Sequence, residues 1–158
     1  MNKMNRMKIL VTGGAGVLTN KLKEQIDQLK LNDKVRFLGK MNNDDVIKLF
    51  SESDLFVLPS ENVVFDVVTL EAMAVGLPVI VTKDGGNLDL IKDGENGFFI
   101  EKGNVSQLTS SIEFAYMNKE KVNHIGANGS TFVEKNFSTK KMFDDYYKLY
   151  QELYRKIV

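Results

Sequence analysis

There is no cysteine in this sequence. That absence excludes disulfides, thiolate metal sites and a cysteine nucleophile, and it suits a cytoplasmic protein. Histidine is nearly absent as well: His124 stands alone, so neither a His-rich metal site nor a choice of Ser-His-Asp triads can be assembled. Charge of one sign is not in surplus, since 21 Lys and Arg balance 21 Asp and Glu. Nucleic-acid backbones reward a basic excess, and none is offered. No apolar run approaches the roughly 20 residues of a membrane span. The opening MNKMNRMK is basic, but only Ile9-Leu10-Val11 follows it, too short a core for a signal peptide. Residues 1–6 are expected to be an unstructured lead or a cloning junction, with Met1, Met4 and Met7 each available as a start, and residues 7–158 to form one domain. A domain of that size can bury a core without staples.

What is present is alternation. Short apolar runs at residues 9–12, 35–38, 55–58, 78–82 and 97–100 read as strands. Helical periodicity occupies residues 17–30, 43–51, 66–75, 88–92, 105–117, 121–137 and 139–157. Leu18, Leu22, Ile26 and Leu29 form the stripe of the first helix, and Asn42 or Asn43 opens the second. Pro59 stops the run Leu55-Phe56-Val57-Leu58, a composition that suits a strand covered on both faces. Gly126 and Gly129 predict a break in the helix of residues 121–137. The final helix carries Phe143, Tyr146, Tyr147, Tyr150, Leu153, Tyr154 and Ile157 on one stripe. Strands alternating with helices predict an α/β, Rossmann-like doubly wound parallel sheet. Ligands in such sheets bind beyond the carboxyl ends of the strands. That points to the loops at residues 13–16, 39–42, 59–65 and 83–87.

The strand and glycine turn of MKILVTGGAGVLTN resemble the opening of an NAD-binding reductase or epimerase. Three features weaken that reading. Thr19 stands where the third glycine of a dinucleotide fingerprint belongs, the second strand ends Phe37-Leu38-Gly39-Lys40 without an acid, and no Tyr has a Lys four residues later.

Residues 54–100 decide between the readings. Pro59-Ser60, Leu70-Glu71-Ala72-Met73-Ala74, Gly76-Leu77-Pro78-Val79, Gly85-Gly86 and Asp93-Gly94-Glu95-Asn96-Gly97 appear in that order. This series resembles the carboxyl-terminal, donor-binding domain of group 1 retaining glycosyltransferases of the GT-B type. Upstream, LVTGGAGVLTNKLKEQIDQLKLNDKVRFLG resembles the family's strand, GxG turn, helix and Val-x-Phe-Leu-Gly strand, and NFSTKKMFDDYYKLYQELY its last helix. The resemblance implies transfer of a hexose from a UDP- or GDP-sugar with retention, with no cofactor and no metal.

It also implies residue roles. Glu71 would accept from ribose hydroxyls, which suits a carboxylate with two acceptor oxygens; otherwise it is a plain helix carboxylate. The helix from Asp66 and Val67 would turn its free amides toward a diphosphate. Gly14, Gly16, Ser60 and Phe65 would line the donor cleft. Gly39 and Met41 would lie against the base, or Met41 would simply pack. Gly85 and Gly86 would let backbone amides approach the sugar, or would only make a turn.

Two departures stand out. The family's Glu-Gly-Phe-Gly is Val63-Val64-Phe65-Asp66 here, so its first glutamate is replaced by Val63. Glu61 is the weak candidate to substitute for it as the catalytic carboxylate, or it is a solvated loop residue. Asp66 puts a negative charge where phosphates belong, or caps the helix. Second, the family's preceding strand and helix, with their diphosphate-clamping Arg and Lys, and its acceptor-binding domain have no counterpart in this sequence. The resemblance places the missing strand between residues 9–12 and 55–58. Those two strands would then pair directly, pair in a homodimer, or take a strand from a partner chain. The expected location is cytoplasmic, with any membrane contact peripheral and made through a partner. The alternative to a transferase domain is a degenerate subunit that partners an active one.

Overall fold

The computed structural model describes residues 8–13, 18–61 and 64–157. The chain divides into two compact units, one up to Val46 and one from Ile47 onward.

The first unit holds β1 (Ile9–Thr12), α1 (Thr19–Gln28), β2 (Val35–Gly39) and the start of α2 (Asn43–Ser51). β1 and β2 pair in parallel, Ile9 opposite Val35 and Val11 opposite Phe37, with a register shift before Thr12 meets Gly39. The Asn42 Oδ1 accepts from the Asp45 amide at 2.8 Å, so Asn42 is the cap that the sequence offered beside Asn43. The periodic stripe of α1 is largely uncovered: Leu18, Leu22 and Leu29 are 62%, 46% and 59% exposed. Periodicity identified the face of the helix, but of its stripe only Ile26 is half-buried.

The second unit holds β3 (Phe56–Leu58), α3 (Val67–Ala74), β4 (Val79–Thr82), α4 (Asn87–Leu90), β5 (Phe98–Ile100), α5 (Val105–Met117), α6 (Lys119–Phe137) and α7 (Thr139–Ile157). Its sheet is parallel in the order β3-β4-β5. β4 is the centre: Val79, Ile80, Val81 and Thr82 are all buried, as a strand flanked on both sides and covered on both faces requires. β3, expected to be covered equally, is only half-buried, because it lies at the end of its ladder. Met73, Leu90, Ile91, Ile100, Val122 and Ile125 complete the core around β4.

All pairing is parallel, as alternation predicts, but the strands form two ladders. The ladders are β1-β2 in the first unit and β3-β4-β5 in the second. α6 also corrects an expectation. It runs unbroken through Gly126 and Gly129, both buried. A Cβ on Gly126 would fall 2.3 Å from the Gly76 carbonyl oxygen, and one on Gly129 would fall 3.1 Å from that of Asn96. These glycines bring the helix close to its neighbours; they do not interrupt it. The Ser130 hydroxyl then donates to the Ala74 carbonyl at the end of α3 (2.9 Å), and the Asn128 amide donates to the Glu95 carbonyl (2.9 Å).

Candidate functional site

The carboxyl ends of β3 and β4 release two loops. One passes through Pro59, Ser60 and Glu61 and, at Val64–Asp66, enters α3; the other is Lys83–Gly86, leading into α4. They meet. The Gly86 amide donates to the Val64 carbonyl at 3.1 Å. A Cβ on Gly86 would lie 2.7 Å from that oxygen and 2.9 Å from the Phe65 ring, so only glycine admits the approach. Gly85 has a φ of 51°, again a conformation that favours glycine. The Phe65 ring in turn packs on Phe137 at the end of α6, with centroids 6.2 Å apart.

Asp66 flanks α3 in an extended conformation, and its carbonyl accepts from the Thr69 amide at 3.2 Å. Its carboxylate makes no capping hydrogen bond, so capping is not its role here. The Oδ2 atom is buried without a partner, and burial pushes the carboxyl above its ordinary range. A raised folded value means that this group's contribution to stability is full in acid and is lost as pH rises through that value. Two more buried oxygens lack partners: Thr69 Oγ1 on the first turn of α3, and Asn87 Oδ1 at the start of α4. The Asn87 side-chain amide is anchored to the Thr82 carbonyl at 3.1 Å. Neither Thr69 nor Asn87 was singled out from sequence. An Asn after Gly-Gly is the kind of residue that opens helices, which was the available signal for Asn87; Thr69, inside the first turn, carried none.

Glu71 is half-buried on α3, and among the described residues its carboxylate forms no hydrogen bond or ion pair. Thr69, Ala72 and Met73 beside it are wholly buried and fix the helix. Glu61 is paired with Lys102, N to O 3.0 Å, both about half exposed. Lys102 follows β5 and has no sequence motif to mark it. Ser60 is half-buried, while Phe65 and Val67 are 45% and 59% exposed. In the first unit, Gly39 closes β2 with a φ of 71°, its carbonyl accepts from the Gly13 amide at 3.0 Å, and Met41 is half-buried. Gly14, Gly16 and Val63 lie outside the described residues. No group of three or more metal-binding side chains and no helix long and apolar enough to cross a membrane occurs among the described residues.

Parallel strands with helical crossovers, and two loops that meet beyond the ends of β3 and β4, define an α/β domain with its candidate site at those strand ends. The comparisons with known proteins agree. The family model for glycosyl transferases group 1 matches residues 2–132. N-acetyl-alpha-D-glucosaminyl L-malate synthase of Bacillus anthracis is 32% identical over 130 residues, 82% of this chain and 34% of that protein. The capsular polysaccharide biosynthesis glycosyltransferase CapM of Staphylococcus aureus is 29% identical over 150 residues, 95% of this chain and 39% of that one. Among solved structures, Anabaena HepE in complex with UDP superposes with a TM-score of 0.85 at 26% identity, over 92% of this chain and 41% of that one. The chain belongs to the group 1 glycosyltransferases and corresponds to their carboxyl-terminal domain. It spans roughly a third of the length of these curated relatives.

Proposed function

We propose that this chain, taken as one domain over residues 7–158, binds the nucleotide of a UDP- or GDP-sugar for hexose transfer with retention. The α3 amides receive the diphosphate, the Gly85–Gly86 turn lets the backbone approach the sugar, and Glu71 accepts from the ribose hydroxyls. The carrying observation is Glu71 itself: a half-buried carboxylate, held in place by wholly buried neighbours, with no partner among the described residues. The relative Anabaena HepE, solved with UDP and with UDP-glucose, supports the choice of ligand. Ser60, Phe65 and Val67, and separately Gly14, Gly16, Gly39 and Met41, are proposed as donor-binding residues on the strength of the family resemblance. We place the protein in the cytoplasm.

Calorimetric titration with UDP, GDP and NAD at pH 6 is the test. UDP or GDP is expected to bind saturably and NAD to give no signal. Hydrogen bonds to a charged acceptor contribute about 1.5–3 kcal/mol. Glu71→Ala should therefore weaken nucleotide binding about 10- to 100-fold with an unchanged circular dichroism spectrum. Wild-type affinity in Glu71→Ala would defeat the assignment.

Transfer also needs an acceptor site. The face of α7 is proposed to meet the domain that carries it. Phe143, Tyr146, Tyr147, Tyr150 and Tyr154 on that face are all 55–69% exposed, and such a contiguous apolar surface marks an interaction site. Light scattering of the isolated chain should give a monomer; a dimer lost on Tyr150→Glu would assign the face to a second copy instead. A second reading, a degenerate subunit without catalysis, is favoured by Lys102 holding Glu61. Lys102→Ala tests it: release of Glu61 should leave donor hydrolysis undetectable under that reading.

A further inference from the structure

Resting on that reading of the site, we propose that Asp66 sets its charge selectivity: a sugar nucleotide's diphosphate binds at the start of α3 only together with a proton on the Asp66 carboxyl. The first turn of a helix favours an anion, because its dipole and unpaired amides face outward. An ionised carboxylate flanking that turn normally uses this field by accepting from the amide three residues on. Here that amide, Thr69, is already bonded to the Asp66 backbone carbonyl. The side chain is left with a buried, unpartnered Oδ2, and one turn into the helix the wholly buried Thr69 Oγ1 is unpartnered too. Two unsatisfied oxygens in one turn are costly, and an ionised one is the costlier.

A proton from solvent removes the charge and converts an acceptor into an O–H donor. That donor can reach a phosphate oxygen, where a second anion would be repelled. The direction imposed by burial is the same one that an incoming anion imposes, so ligand and proton favour each other. The charged groups on the segments that meet here are Glu71 on α3, Lys83 (3.9 Å from Glu101), Asp84 and Asp89 around the Gly85–Gly86 turn, Glu61 with its partner Lys102, and Lys135 near the end of α6. None of them forms an ion pair with Asp66. Among the described residues, therefore, no ion pair holds the carboxyl ionised.

The test is calorimetry with UDP-glucose and GDP-mannose from pH 5 to 8, in paired buffers of different ionisation heat. These diphosphates lack the terminal phosphate ionisation near pH 6 that would confuse titrations with UDP. The wild-type chain is expected to take up close to one proton per ligand and to lose affinity about tenfold per pH unit above the Asp66 value. Asp66→Asn keeps the shape and a cap-compatible residue; it should take up no proton, bind independently of pH, and outbind wild type by a margin that widens about tenfold per pH unit above the Asp66 value. Flat wild-type binding without proton uptake, or weaker binding by Asp66→Asn, would overturn the role of Asp66 alone. Failure of wild type, Asp66→Asn and Asp66→Gly to bind either ligand at any pH would overturn the site reading, and this inference with it.

Discussion

Gly126→Ala is expected to lower the stability of the chain by about 2–4 kcal/mol, the range of overpacking at a site that cannot relax. Thermal unfolding followed by circular dichroism should then shift down by roughly 5–15 °C. The reason is what the new methyl group meets. It would sit 2.3 Å from the Gly76 carbonyl oxygen and 3.0 Å from both the ring and the nitrogen of Pro78. All of these belong to backbone or a closed ring at the entrance to β4, the most buried strand. No side chain can swing aside, so α6 has to move away from the sheet and lose the contacts of Val122 and Ile125. On a solvated helix face the same substitution would stabilise by up to about 1 kcal/mol. The sign of the effect is therefore diagnostic. Gly129→Ala provides the graded control: its methyl would meet the Asn96 carbonyl oxygen at 3.1 Å and the flexible Met73 side chain at 3.6 Å, so the loss should be smaller.

That pair of glycines also shows where sequence reasoning runs out. A glycine inside a helical pattern costs about 1 kcal/mol by propensity, and two of them read as a break. The propensity penalty was overridden by a close approach that lies some 50 residues away in sequence, at Gly76 and Pro78. Elements defined by local signals were legible. α2, α5 and α7 have the bounds that periodicity and caps predict, with Asn104 capping α5 through a 3.0 Å bond from the Gln107 amide. β4 was legible because Pro78-Val79-Ile80-Val81 is apolar at every position. What covers an apolar face was not: α1 and α7 both carry clean stripes, yet Leu18, Leu22 and Leu29 of the first and the aromatic residues of the second are exposed. The site divides in the same way. Glu71 and the Gly-Gly turn stand out as motif. The partnerless oxygens of Asp66, Thr69 and Asn87 follow from two loops meeting through Gly86 and Val64, which no local pattern encodes.

Asn96→Leu is expected to destabilise the chain by about 2–5 kcal/mol, since it strands two backbone groups whose loss costs about 1–3 kcal/mol each. Asn96 is 5% exposed. Its Oδ1 accepts from the Lys92 amide at 2.7 Å, and its Nδ2 donates to the Leu90 carbonyl at 3.1 Å. One side chain thus satisfies a donor and an acceptor just after α4, while Asp93 Oδ1 accepts from the Phe99 amide at 2.9 Å and ties the same turn to β5. The Asp-Gly-x-Asn-Gly motif therefore fastens the end of α4 to the start of β5, and α4 begins at Asn87, beside the Gly85–Gly86 turn. Leucine matches asparagine roughly in bulk but serves neither backbone group. Asn96→Asp separates the two bonds. Its carboxylate can still accept from Lys92 but faces the Leu90 carbonyl without a proton, so burial should raise its folded pKa above the unfolded value. A raised carboxyl contributes fully in acid and loses its contribution as pH rises through the folded value. The deficit of Asn96→Asp relative to wild type should therefore be large at pH 7.5 and shrink toward pH 4.5, where the protonated acid donates to Leu90. Asn96→Leu should show a constant deficit across that range. If the folded fraction of Asn96→Leu binds nucleotide as tightly as wild type, the motif acts through stability alone. A loss of affinity in the folded fraction would instead show that the α4 turn transmits its position to the Gly85–Gly86 turn, making the fastening of α4 part of the binding machinery.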